Sequence, residues 1–150
     1  MKCSANKMLA ELGWREWVSL PQLGLDALKC KVDTGAKSSA LHAFSVEEFY
    51  KSEELWVRFG IHPKQGSEEE AVWCESLVTD VRKVTDSGGH VTERYFITTD
   101  VVIGSYTFPI QVSLTNRDSM RFRMLLGREA MNGRFWVNPE VSYRQGRKTL

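Results

Sequence analysis

Apolar and polar residues alternate with a period of two through much of the chain. Leu55-Trp56-Val57-Arg58-Phe59-Gly60-Ile61 places Leu55, Val57, Phe59 and Ile61 on one face, the pattern of a half-buried strand. Leu77 to Val84 and Tyr95 to Ile103 predict two further long strands. Asp86-Ser87-Gly88-Gly89-His90 between them is a turn cluster, so the two should form a hairpin. Gly104-Ser105 turns the chain into Tyr106–Val112, where Pro109 predicts an edge position or a bulge. Helix signals are few. Ser45-Val46-Glu47-Glu48 has capping-box spacing, and a second short helix should start after Gly127 and stop at Gly133. Lys64 to Glu70 reads as a polar loop, and no heptads or domain linker occur. The pattern predicts one all-β domain over residues 1–150, with its core at about 13–143 and one or two short helices.

Composition supports this picture. Val, Ile and Thr together make up 27 of 150 residues, which favours strands. No apolar run approaches the ~20 residues that span a bilayer, and Met1 to Lys7 lacks the apolar stretch of a secretory signal, so a cytoplasmic location with no membrane partner is expected. Cys3, Cys30 and Cys74 are odd in number and widely spaced, which argues for reduced thiols and against a disulfide framework. The net charge of +1 is unevenly spread: residues 1–40 carry +2, 41–80 carry −6 and 81–150 carry +5. A duplex-DNA partner usually shows as an overall basic balance and is not expected, but a local basic surface for an acidic ligand is compatible with these numbers.

The sharpest chemical signal is Cys30-Lys31-Val32-Asp33-Thr34-Gly35-Ala36. An aspartate at the end of an apolar strand, followed by Thr-Gly-Ala, is the active-site motif of aspartic peptidases. Their chemistry needs two partly desolvated carboxyls at a cleft floor, one holding a proton while the other activates water. The threonine hydroxyl can fix the pair, and glycine lets backbone and substrate approach closely. As an isolated tripeptide Asp-Thr-Gly more often marks an ordinary turn, but here it has a companion. Met124-Leu125-Leu126-Gly127-Arg128 supplies the two apolar residues and glycine that lie beside the Asp-Thr-Gly loop in these enzymes, with a helix following. Asp86-Ser87-Gly88 is not a second catalytic copy, because Gly89-His90 follows it and no second apolar-apolar-Gly segment accompanies it. With one catalytic aspartate per chain, a dyad requires a symmetric homodimer.

Several blocks in one order carry a wider resemblance. They are Gly13-Trp14-Arg15-Glu16-Trp17-Val18, Val32 to Ala43, Asp86 to His90, and Thr115 to Arg128. Over roughly Gly13 to Tyr143 the chain resembles retropepsin-like aspartic peptidases, and within them the bacterial RimB-like family also labelled ATP-dependent zinc proteases. The resemblance implies a retropepsin-like (acid protease) closed β-barrel that dimerises. It also implies catalysis by Asp33 with Thr34 and Gly35, and a flap at the hairpin tip formed by Ser87, Gly88, Gly89 and His90. It further implies a functional link to an ATP-grasp ligase that adds glutamates to a ribosomal protein, and hence removal of such poly-glutamate tails.

The residues give a separate reason to expect an acidic substrate. In retroviral relatives a second aspartate follows Asp-Thr-Gly-Ala and pairs with the arginine after the later glycine. Here Lys37 stands in that place, so Arg128 lacks that partner. Ala36, Lys37, Arg94, Arg121, Arg123 and Arg128 are therefore expected near substrate, with Arg117 in the same segment. At least one of Lys37 and Arg128 should bind a glutamate carboxylate, and solvated ion pairs with Glu93, Asp118 or Glu129 are the plainer role for any single arginine. Histidines occur only at 42, 62 and 90, with no His-Glu-x-x-His, Cys-x-x-Cys or phosphate loop, so no metal and no nucleotide cofactor is expected. His42 should order the segment after the catalytic loop. Two other readings stay open: a non-catalytic barrel that binds an acidic peptide or partner, which would tolerate loss of the Asp33 carboxylate, and a zinc peptidase, which would require bound metal.

Overall fold

The computed structural model describes residues 9–85, 88–117 and 121–146. Its strands are β1 (Ala10–Leu12), β2 (Arg15–Leu20), β3 (Leu25–Val32), β4 (Ser39–Ala43), β5 (Ser45–Lys51) and β6 (Glu54–Ile61). These are followed by β7 (Val72–Leu77), β8 (Asp80–Thr85), β9 (Val91–Ile103), β10 (Tyr106–Asn116), β11 (Met124–Leu126) and β12 (Phe135–Val137). One four-residue helix, α1 (Arg128–Met131), lies between β11 and β12.

Six strands close into a barrel in the order β10-β4-β11-β3-β2-β9, and β9 pairs back onto β10. Strand β8 continues outward as the second arm of the β8–β9 hairpin. The alternation in β3 explains its place: Leu28, Cys30 and Val32 point into the core while Lys31 faces out. Leu20, Leu28, Leu41, Ile97, Ile103, Met124 and Leu126 are fully buried inside the barrel, and this apolar burial is the main stabilising term of such a fold. Strands β5-β6-β7 form a separate sheet, whose Val57, Phe59 and Ile61 join the same core cluster.

Pro109 sits where β10 pairs with β9 alone, opposite Asp100, and the parallel pairing with β4 begins only at Val112. The missing N–H therefore costs no ladder bond, as an edge position requires.

Two local expectations are corrected. The Ser45–Glu48 capping box opens no helix: β5 pairs antiparallel with β6 from Ser45↔Gly60 to Lys51↔Glu54. Cross-strand contacts override the local signal, with Phe49 directly opposite Trp56 and the Lys51 ammonium 4.5 Å from the centre of the Trp56 ring. The connection is the two residues Ser52 and Glu53, both left-handed at φ 51° and 67°. The run Leu77–Val84 is likewise two strands. Leu77 ends β7 and Asp80 begins β8, because the chain leaves one sheet for the other at Val78-Thr79.

A buried carboxylate ties the two ends of the described chain together. Glu16 is fully buried and accepts the backbone N–H groups of Gly13 at 2.6 Å, Arg144 at 2.9 Å and Gln145 at 3.1 Å. Arg15 stacks between the rings of Trp14 and Tyr143. Gln145 is thereby anchored; residues 147–150 lie outside the described residues.

Candidate active site

Strand β3 delivers Asp33 to the end of the barrel. Its partner β11 runs parallel to it, with Leu126 opposite Val32, and the Asp33 N–H donates to the Leu126 carbonyl at 2.9 Å. The chain then turns: Asp33 Oδ1 accepts the Gly35 N–H at 2.9 Å, which fixes the carboxylate on its own loop. A methyl group at Gly35 would stand 3.2 Å from that oxygen, so only glycine leaves the carboxylate uncrowded. Gly127 plays the matching part below the loop. A Cβ there would lie 2.5 Å from the Ser38 carbonyl group. The Gly127 N–H donates to Ser39 Oγ at 3.0 Å. The N–H groups of Arg128 and Glu129 bond the Ala36 and Lys37 carbonyls at 2.7 and 3.0 Å. The apolar-apolar-Gly segment is thus the clamp that positions the Asp33 loop.

Asp33 opens onto a cleft of about 530 Å³, whose other charged or titratable lining residues are Lys37, His42, Arg94 and Arg117. Its walls are the loop itself, the turn-side end of the β8–β9 hairpin at Val84, Thr85 and Arg94, and the outward face of β4 and β10. On β4 that face is Ala40 and His42, preceded by Ser38; on β10 it is Ser113 and Thr115, followed by Arg117. In the parallel register Ala40 is opposite Ser113 and His42 opposite Thr115. His42 Nδ1 lies 2.5 Å from Thr115 Oγ1. Burial, and then the charges of Arg117, Arg94 and Arg123, push His42 down to about 4, so the ring is neutral near pH 7 and the arginines and Lys37 carry the cleft's positive charge.

Residues 11–148 match a family described as "Retropepsin-like aspartic endopeptidase RimB". The chain belongs to this RimB-like family. It is 46% identical over 135 residues to a protein of Parasynechococcus marenigrum (strain WH8102) named "Probable alpha-L-glutamate ligase", the match covering 90% of this chain and 29% of that one. A protein of Shewanella halifaxensis (strain HAW-EB4) with the same name is 41% identical over 145 residues, covering 97% of this chain and 31% of the other. The chain therefore spans less than a third of the length of the curated relatives it matches. Among solved structures, a Legionella pneumophila protein of unknown function superposes with a TM-score of 0.74 at 28% identity, over 91% of this chain and 98% of that one. The closed six-stranded barrel is the retropepsin-like fold that the RimB-like membership entails.

Within the RimB-like site the predicted residues divide. Asp33, Gly35, Ala36, Lys37 and Arg94 line one cleft. Thr34 and Arg128 do not. Arg128 Nη1 donates to the Thr34 carbonyl at 3.0 Å, and both border a second hollow of about 440 Å³ with Met131, Phe135, Trp136 and Pro139. Arg123 is buried, and its guanidinium donates to the carbonyls of His62 at 2.9 Å and Ser67 at 3.4 Å, pinning the loop after β6. Arg121 is exposed and does not line the cleft. Gly88, Gly89 and His90 are exposed at the hairpin tip, beyond the cleft walls; Ser87 lies outside the described residues.

His42, Thr115 and Ser113 line the cleft with Arg117, and the sequence motifs do not mark these three. A signal exists: the alternate positions Ser113, Thr115 and Arg117, and Ser38, Ala40 and His42, are polar or small, marking a strand face that is not plain core. Among the described residues no three His, Cys, Asp or Glu side chains are grouped to hold a metal, so no step through zinc is derived. No helix of the described chain is long and apolar enough to cross a membrane.

Proposed function

We propose that the chain works as a homodimeric aspartic endopeptidase that hydrolyses peptide bonds in acidic segments, poly-glutamate above all. The observation that carries this reading is Asp33 in a cleft whose remaining charged lining is cationic: Lys37, Arg94 and Arg117. A carboxylate is a poor feature for simply holding an acidic peptide, whereas hydrolysis needs it.

The sequence carries one Asp-Thr-Gly, so the dyad takes one Asp33 from each of two copies. The ionised carboxyl removes a proton from water as its oxygen attacks the scissile carbonyl carbon. The protonated carboxyl gives its proton to the carbonyl oxygen. Collapse of the tetrahedral intermediate breaks the C–N bond, the departing nitrogen takes a proton, and the dyad returns to its singly protonated state. The pair titrates as a unit. The backbone clamp from Gly35, Leu126 and the start of α1 supports this chemistry because it holds Asp33 before substrate arrives.

The poly-glutamate substrate draws on the relatives. Their name describes glutamate ligation, and a region like this chain occupies less than a third of each. A peptidase in one polypeptide with such a ligase would meet glutamate tails as its nearest substrate, and a chain standing apart would act with an ATP-grasp ligase as functional partner. The test incubates wild type and Asp33→Asn with a glutamate-tailed protein and a neutral control peptide. Chelator is present and ATP absent, and products are read by mass spectrometry. Tail shortening by wild type alone supports the proposal; binding of the tail by both proteins without cleavage by either overturns it in favour of a binding barrel.

A further inference from the structure

We infer that the acid selectivity of the cleft resides in a side-chain carboxylate subsite formed by Arg94 and Arg117 over the His42–Thr115 pair. Arg121, Arg123 and Arg128 have no part in it. The inference deepens the reading of the cleft as a substrate groove and rests on that reading.

The placement follows from strand register. His42 and Thr115 are direct neighbours on the parallel pair β4–β10, and both are buried at the cleft's inner wall. Arg117 lies two residues beyond Thr115, on the same face of the strand. Arg94 reaches the same cleft from β9, where its Nε donates to Thr92 Oγ1 at 3.2 Å. Burial is the main cause that keeps His42 neutral, and the charges of Arg117 and Arg94, with Arg123 behind them, act on the ring in the same sense. A region that repels a proton from an imidazole attracts a carboxylate by the same field. Guanidinium groups can add bidentate hydrogen bonds to that attraction. A neutral His42 suits this position, because its ring has a fixed hydrogen-bond partner in Thr115 and contributes no charge that would vary with pH near 7.

Geometry also separates this subsite from the other cations. Arg123 spends its guanidinium on the His62 and Ser67 carbonyls, and Arg128 holds the Thr34 carbonyl beside a different hollow. Lys37 lines the cleft from the Asp33 loop itself, a different element from those that carry Arg94 and Arg117.

Binding of tetraglutamate and tetraglutamine peptides, measured by calorimetry at pH 7 in the Asp33→Asn background, tests the subsite without turnover. Arg94→Gln and Arg117→Gln should each weaken tetraglutamate binding about tenfold or more and leave tetraglutamine binding unchanged. Arg94→Lys and Arg117→Lys should recover part of the loss, and Arg121→Gln should lose nothing. Equal affinity of the parent for the two peptides overturns the inference, as do losses in the two glutamine variants no larger than that of Arg121→Gln. The peptidase reading fails separately: arginine-dependent tetraglutamate binding with no tail cleavage by wild type would remove the enzyme and leave the subsite standing.

Discussion

His42 makes the stability of this barrel fall with acid by an amount that can be worked out. In the folded chain it titrates at about 4 instead of 6.5, because it is buried and faces Arg117, Arg94 and Arg123. Its proton is therefore bound more tightly by the unfolded chain. The group adds almost nothing to the pH dependence above 6.5; as pH falls from 6.5 to 4, the unfolded state takes up a proton that the folded state refuses, and stability is lost. Between pH 7 and pH 5 the loss from this one residue comes to about 2 kcal/mol, and the full separation of the two values corresponds to about 3 kcal/mol. His42→Asn keeps an amide where Nδ1 meets Thr115 and removes the titration. Urea unfolding of both proteins at pH 7 and pH 5 isolates the effect, since every other titrating group is common to both. Wild type should lose about 2 kcal/mol more than the variant over that interval. Parallel losses would refute the argument and mean that His42 accepts its proton in the folded state despite the arginines.

Two further outcomes follow from local geometry. Glu16→Ala strands three backbone N–H groups that the carboxylate now accepts; it should cost about 3 kcal/mol and raise amide hydrogen exchange at Gly13, Arg144 and Gln145 well beyond that of the barrel strands. The double change Ser52→Asn with Glu53→Gly puts preferred residues into a two-residue hairpin whose φ angles are 51° and 67°. It should add about 1 kcal/mol to stability in urea unfolding, without changing activity.

The Asp33 loop was legible in the sequence because its geometry is local: Asp33, Thr34 and Gly35 are contiguous, and Leu125-Leu126-Gly127 is the segment that packs against them. The β8–β9 hairpin and the edge position of Pro109 were legible for the same reason, since turn residues and a missing N–H act where they stand. What could not be read depends on partners distant in sequence. Ser45–Glu48 satisfies a helix-start pattern, but Trp56 across the strand pair decides otherwise. Strands β1 and β12 are three residues each and exist through pairing with one another. Glu16 looks like any charged strand residue until the chain returns 128 residues later to fill its oxygens. The arginines were seen as a group, yet their separate roles follow from which carbonyl or cleft each one meets.

That division changes the origin of the cleft's charge. With Lys37 where retroviral relatives carry an aspartate, Arg128 lacks that carboxylate partner, and a backbone carbonyl, that of Thr34, takes the guanidinium in its place. Arg128 therefore supports the loop from the side that faces Trp136 and Pro139, and it does not line the groove that holds Asp33. Lys37 does enter it, and Arg94 and Arg117 join it from two other strands. A single substitution near the catalytic motif would make a basic spot; three cations from β9, the end of β10 and the Asp33 loop line a groove. An extended peptide presents side chains at regular intervals along such a groove, so a run of carboxylates meets several cations at once, whereas an isolated glutamate meets one. On the proposed reading such an arrangement would favour a repeated acidic chain over a single acidic residue, and the preference would come from the barrel's register as much as from the motif.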